Sequence, residues 1–146
     1  MRLAIVGFIL FCSILLTAQS KDNWNTLALV VQERAFDDML GMEVIKAIPL
    51  QPVLDLNGTR IEISGYMIAL SAKIEKQSHF MFSKYPQNMC FFCGSAGPES
   101  AMQVFVQDGN KVDFQKEKIT LSGILQVQQN DASGLIYFLQ EAKIVK

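Results

Sequence analysis

At 146 residues, half of them hydrophobic, the chain is long enough for one domain with a real core and too short for several. Its 13 basic and 14 acidic side chains are scattered, which leaves no electrostatic footprint for nucleic acid or for an anionic membrane surface.

The chain opens "MRLAIVGFILFCSILLTAQSK", with one charge at Arg2, a largely apolar run from Leu3 to Leu16, and then small and polar residues. That is the layout of a secretory signal, and the run is shorter than the ~20 residues a membrane-crossing helix needs. Ala18 and Ser20 are the small residues a signal peptidase favours, so residues 1–20 are expected to leave and the mature chain to start at Lys21. The membrane is then met only through export, to the periplasm or the exterior. Cys12 follows the bulky Phe11, which argues against a lipid-attachment cysteine. Its loss leaves Cys90 and Cys93 as one thiol pair in an oxidising compartment. Loss of Arg2 takes the net charge from −1 to −2.

Residues 21–56 read as an N-terminal extension. Leu27 to Gln32 predicts a strand added to the main sheet, Phe36 to Leu40 a helical turn stopped by Gly41, and Val53 to Leu56 a short amphipathic piece after Pro49 and Pro52. Trp24 is expected to plug one end of the core.

Residues 57–146 read as a β domain. Asn57-Gly58 marks a turn opening a first strand, Arg60 to Leu70, and "SHFMFSKY" at 78–85 gives a second. "AMQVFVQ" at 101–107 makes a third, ended by Asp108-Gly109-Asn110; Lys118 to Gln128 makes a fourth, and "LIYFLQEAKIV" after "NDASG" a fifth. The first and fourth share a pattern, "IEISGYM" and "ITLSGIL", with apolar residues at every second position and a glycine inside the strand. Gly65 and Gly123 are natural sites for a bend or close backbone approach. Five strands with these two long and bent predict an all-β fold, a five-stranded OB-like Greek-key barrel, with a small β-sandwich of the same strands as the alternative.

Residues 88–98, "NMCFFCGSAGP", hold the chemistry. A thioredoxin-like site needs its Cys-x-x-Cys at a helix start inside a βαβ frame, whereas Gly94 and Gly97-Pro98 interrupt any helix here. Covalent haem needs a histidine where Gly94 stands. A zinc site would have Cys90, Cys93 and His79, with Glu99 or Asp108 as oxygen donors; copper(I) would add Met81, Met89 or Met102. The structural reading makes the pair a disulfide, or two small buried hydrophobes, shaping a tight turn. Phe91 and Phe92 would then point to opposite sides, and a contact surface of Phe91, Phe92, Gly94, Gly97, Pro98, Glu99 and Tyr85 would result. No nucleophile–base constellation can be argued with one histidine, and Gly94-Ser-Ala-Gly97 lacks the lysine of a phosphate loop.

"LNGTRIEISGYMIAL", "CFFCGSAGPES" leading into "MQVFV", "KITLSGILQV" and "YFLQEAKIV" together resemble a family of exported bacterial proteins catalogued as a domain of unknown function and assigned to the OB-type barrel. The likeness runs from about Trp24 to Val145, in a branch with the Cys-Phe-Phe-Cys-Gly block. It implies the barrel fold and export. Other branches carry a cysteine followed by a proline-rich segment with histidine, and members occur beside transporters and metal-handling proteins; this chain lacks that histidine. The expected function is an exported, non-catalytic binding or accessory module with a protein or transporter partner, contacting it at the Cys90–Cys93 turn. A zinc or copper handling protein is the alternative, and a thiol-disulfide oxidoreductase a lesser one.

Overall fold

A computed structural model describes residues 23–38, 41–69, 76–128 and 134–145. The expected signal and most of the connections at 71–77 and 130–134 lie outside the described residues.

In chain order, α1 (Asn23–Leu27) leads into β1 (Val30–Asp37) and β2 (Met42–Pro49), then α2 (Gln51–Leu54). Five strands follow: β3 (Arg60–Ile68), β4 (His79–Ser83), β5 (Ala101–Val106), β6 (Ile119–Val127) and β7 (Tyr137–Val145). These five close into a barrel in the order β3-β4-β5-β7-β6, in which only the β5–β7 pair is parallel. The last strand inserts between the third and fourth, so the topology is a Greek key and the OB-like expectation holds.

The alternation read from the sequence is the alternation of burial. Ile61, Ile63, Gly65 and Met67 of β3 face inward, and Leu121, Gly123 and Leu125 do so from β6. The two glycine-bearing strands pair antiparallel, with Ile61 opposite Gly123 and Gly65 opposite Ile119. A Cβ on Gly65 would run into the Ser83 carbonyl oxygen and lie 2.9 Å from the Phe82 ring, so the end of β4 lies against β3 where only glycine fits. A Cβ on Gly123 would meet Leu139 Cγ at 2.7 Å and Gln140 O at 2.8 Å. There β7 carries a bulge: both its ladders shift register around residues 140–142, and Glu141 sits at φ 51.

β4 covers only Tyr66–Ile68 of β3. Over the first half of β3, α1 takes the place of a strand: Asn23 Nδ2 donates to Glu62 O at 2.7 Å and Trp24 Nε1 to Ser64 O at 2.8 Å. Trp24, Leu27 and Val53 join the barrel's core cluster, so the expectation that Trp24 plugs the core holds.

Tyr137, fully buried at the start of β7, donates its phenolic O–H to Leu27 O at 2.6 Å and so ties the last strand to α1. Burial, with repulsion from the Glu99 carboxylate adding to it, pushes this phenol well above its ordinary value. A raised folded-state pKa means the associated stability is intact below the unfolded value of about 10 and is lost as pH rises beyond it, because the unfolded chain ionises first. Tyr137→Phe is expected to cost about 1–2 kcal/mol at neutral pH by leaving Leu27 O unpaired, and to flatten the fall in stability above about pH 10. Urea unfolding at neutral and alkaline pH reads both effects; an unchanged alkaline slope would contradict the assignment.

The extension differs from expectation. Leu27 to Gln32 does not add to the barrel: β1 begins at Val30 and pairs with β2 alone, from Val30–Pro49 to Asp37–Met42, as a separate two-stranded sheet. Phe36 and Asp37 belong to β1, not to a helical turn, because each finds a cross-strand partner in β2. Gly41, at φ 64, serves the hairpin turn instead, donating its N–H to Asp37 O at 2.7 Å. The amphipathic piece forms two residues early, as α2, with Pro52 in its first turn.

Candidate functional site

Between β4 and β5 the chain leaves the barrel at Ser83 and returns at Ala101. Its neck is closed by the Lys84 N–H to Ser100 O, 2.9 Å. This is an Ω-like excursion built from three single-turn 3-10 helices: Gln87–Met89, Phe91–Cys93 and Pro98–Ser100. Ser100, buried, donates its hydroxyl to Gly97 O at 2.6 Å and fixes the return limb. Gly94 ends the middle turn in the left-handed region at φ 73, which is why glycine follows the second cysteine.

Spacing brings Cys90 and Cys93 together as the sequence predicts, with the sulfurs 3.8 Å apart as free thiols. Their environments differ. Cys90 is fully buried and Cys93 is exposed, so the expectation of two buried hydrophobes holds only for the first. Both thiols converge on one acceptor, the Gln87 carbonyl, Cys93 at 2.8 Å and Cys90 at 3.1 Å. The contact with the Cys90 thiol, then desolvation and repulsion from Cys90, raises the Cys93 pKa. A raised value holds the sulfur as thiol, the opposite of what a redox nucleophile needs, and a three-residue 3-10 turn supplies no long helix dipole to lower it.

Gln87 also clamps the loop to the barrel. Its Nε2 donates to Ala69 O at 2.7 Å and its Oε1 accepts from Ala69 N at 3.0 Å, at the end of β3. Sequence reading missed this residue, and no signal could have found it: its role depends on a backbone acceptor and on a partner far away in sequence.

Phe91 and Phe92 do not point to opposite sides. Their rings meet edge to face at 5.3 Å, because both lie on one short 3-10 turn rather than on an alternating strand. Phe91 is half-buried, with Cζ 3.9 Å from where a Cβ on Gly134 would sit, and Phe92 is exposed. Met89, on the preceding turn, is more exposed still at 53 %. Tyr85 lies at the outgoing limb, its ring under Lys84 Nζ at 5.6 Å, and Gly97, Pro98 and Glu99 form the return limb. The Glu99 carboxylate folds back over Gly97; its Oε2 is buried and is the one such side-chain atom without a hydrogen-bond partner among the described residues.

His79 is not brought to the cysteines. It starts β4, opposite Phe105, while the loop begins past Ser83 at the other end, about 13 Å away along the strand. There its ring stacks on Phe105 at 4.4 Å and its Nε2 bonds Gln103 Oε1 at 3.0 Å. Met81 and Met102 are strand residues, half-buried and fully buried respectively. Asp108 belongs to the turn after β5, at φ 55. Among the described residues no three His, Cys, Asp or Glu side chains come together.

No protein-family model and no curated protein matches the chain. Among solved structures it is similar to a crystallised DUF3299 family protein from Pseudomonas aeruginosa PAO1, at 14% identity and a TM-score of 0.47, over 68% of each chain. That neighbour's name states no activity. The OB-like assignment rests on the strand order and register above.

Proposed function

We propose that this chain is an exported, non-catalytic binding module, and that the β4–β5 loop is its contact surface for a protein partner, a transporter component being the class that the sequence resemblance suggests. The observation that carries this reading is the combination of a pinned backbone with exposed apolar side chains. Cys90, Gln87 and Ser100 hold the loop's shape, while Phe92 and Met89 face solvent on adjacent turns. A backbone already held in one shape loses little conformational entropy on docking, and aromatic residues and methionine are enriched at contact surfaces. Cys90 and Cys93 serve here as turn organisers. The three-residue 3-10 turn, which lacks the helix dipole that activates such a thiol, speaks against the thiol-disulfide enzyme.

A second reading has its own observation. Two thiols 3.8 Å apart, one exposed, with Met89 adjacent in sequence, suit a two-coordinate soft ion such as copper(I) better than tetrahedral zinc. Metal content and thiol titration of the natively produced protein separate the two. The contact reading expects no stoichiometric metal and the same fold for the doubly substituted Cys90→Ser, Cys93→Ser chain. Near-stoichiometric copper or zinc, with two thiols titratable only after its removal, would replace it with the metal reading.

A further inference from the structure

The β1–β2 hairpin has no part in that loop. One face carries Val31, Glu33, Ala35 and Asp37 from β1, and Ile48, Lys46, Val44 and Met42 from β2; on the other, Val30, Ala47 and Pro49 at the base turn inward while Gln32, Arg34 and Phe36 beyond it are exposed. Val31 is 50 % exposed, Met42 57 % and Ile48 39 %. Beyond its base the hairpin packs almost wholly on itself. Among the described residues it is the only sheet with open edges, since the barrel closes on itself. Open edges are templates for another strand, and a two-stranded sheet is marginal in water, whereas three or more strands with an apolar face are stable.

Charge selects which edge pairs and with what. Antiparallel pairing of two copies about a two-fold axis normal to the sheet sets residues of the same face opposite one another. On β1, a register centred on Glu33 opposes Glu33 to itself, one centred on Arg34 opposes Arg34 to itself, and one centred on Ala35 opposes Glu33 to Asp37. A register centred on Gln32 avoids this but pairs only Val30 to Arg34, and every longer self-pairing of β1 meets like charges. β2 does not. A register centred on Ile45 sets Val44 opposite the second copy's Lys46, Glu43 opposite its Ala47 and Met42 opposite its Ile48, and Pro49, which has no N–H, lies just outside the paired stretch. We infer that two copies of this chain pair through the β2 edge, forming one four-stranded sheet in the order β1-β2-β2-β1, with Val31, Ile48, Val44, Ala35 and Met42 of both copies on one shared face.

Sedimentation velocity over a dilution series tests this with the protein in the form the cell produces. The wild type is expected to be a dimer. Val44→Lys faces the second copy's Lys46 twice by symmetry, and Val44→Glu faces it with opposite charge, so the Lys variant is expected to dissociate at a concentration about ten- to a hundredfold higher than the Glu variant. Within one hairpin the bias runs the other way, because Val44 lies across from Ala35, flanked diagonally by Glu33 and Asp37. A hairpin-stability effect would thus favour Lys. Circular dichroism of both variants confirms that the barrel is folded. A monomeric wild type, even one that sediments with a different protein, overturns the inference, as does a dimer equally sensitive to both substitutions.

Discussion

Gly65→Val is expected to lower stability by about 3 kcal/mol, measured as a fall in the urea midpoint with the slope unchanged. The new Cβ has no room: on one side is the backbone carbonyl of Ser83, which cannot swing away without breaking the end of the β3–β4 ladder, and on the other the buried Phe82 ring. A clash with a flexible side chain would relax cheaply. This one meets main chain. The cost should exceed that of Gly123→Val, whose first obstacle is the Leu139 side chain, although Gln140 O is close behind. Unchanged stability in both variants would mean that β4 and β7 do not approach these glycines as described.

Trp24→Ala is expected to cost more, about 3–5 kcal/mol. The indole is 2 % exposed in the core cluster, so its removal loses apolar burial and leaves a cavity at the barrel's end. It also leaves the Ser64 carbonyl without the indole N–H donor, on the part of β3 that β4 does not cover. Trp24→Phe keeps most of the volume and drops that bond, so it should recover more than half of the loss. Equal destabilisation by both would place the weight on the hydrogen bond instead.

Much of the barrel was legible because burial enforces period two: Ile61, Ile63 and Met67 on β3, and Leu121 and Leu125 on β6, all turn inward, and internal glycines marked where those strands bend. The hairpin was not legible. β1 runs Val-Val-Gln-Glu-Arg-Ala-Phe-Asp with four consecutive exposed residues, so its pairing with β2 leaves no alternation for a sequence reading to find. Its specificity lies in cross-strand register, such as Glu33 opposite Lys46, which becomes visible only once the partner strand is known. At the site, Cys-x-x-Cys spacing correctly implied proximity, and Gly94 a tight left-handed turn. His79 lies apart from the cysteines because it stands at the start of β4 while the loop leaves from that strand's far end, and an extended strand carries residues apart faster than any other element. Phe91 and Phe92 share one side because they lie on a stretch that coils, where the alternation of a strand does not hold.

The most direct test of the contact surface is site-specific photo-crosslinking in the producing cell, with a photoreactive phenylalanine analogue at position 92 and, as a control, at position 126 on the exposed side of β6. A discrete adduct to a protein partner is predicted from position 92 and not from 126, and it should be lost when Gln87→Ala releases the loop from Ala69. Adducts of equal yield from both positions, or none from position 92 under conditions where the probe reacts with solvent-exposed protein, would contradict the assignment of the β4–β5 loop as the binding site.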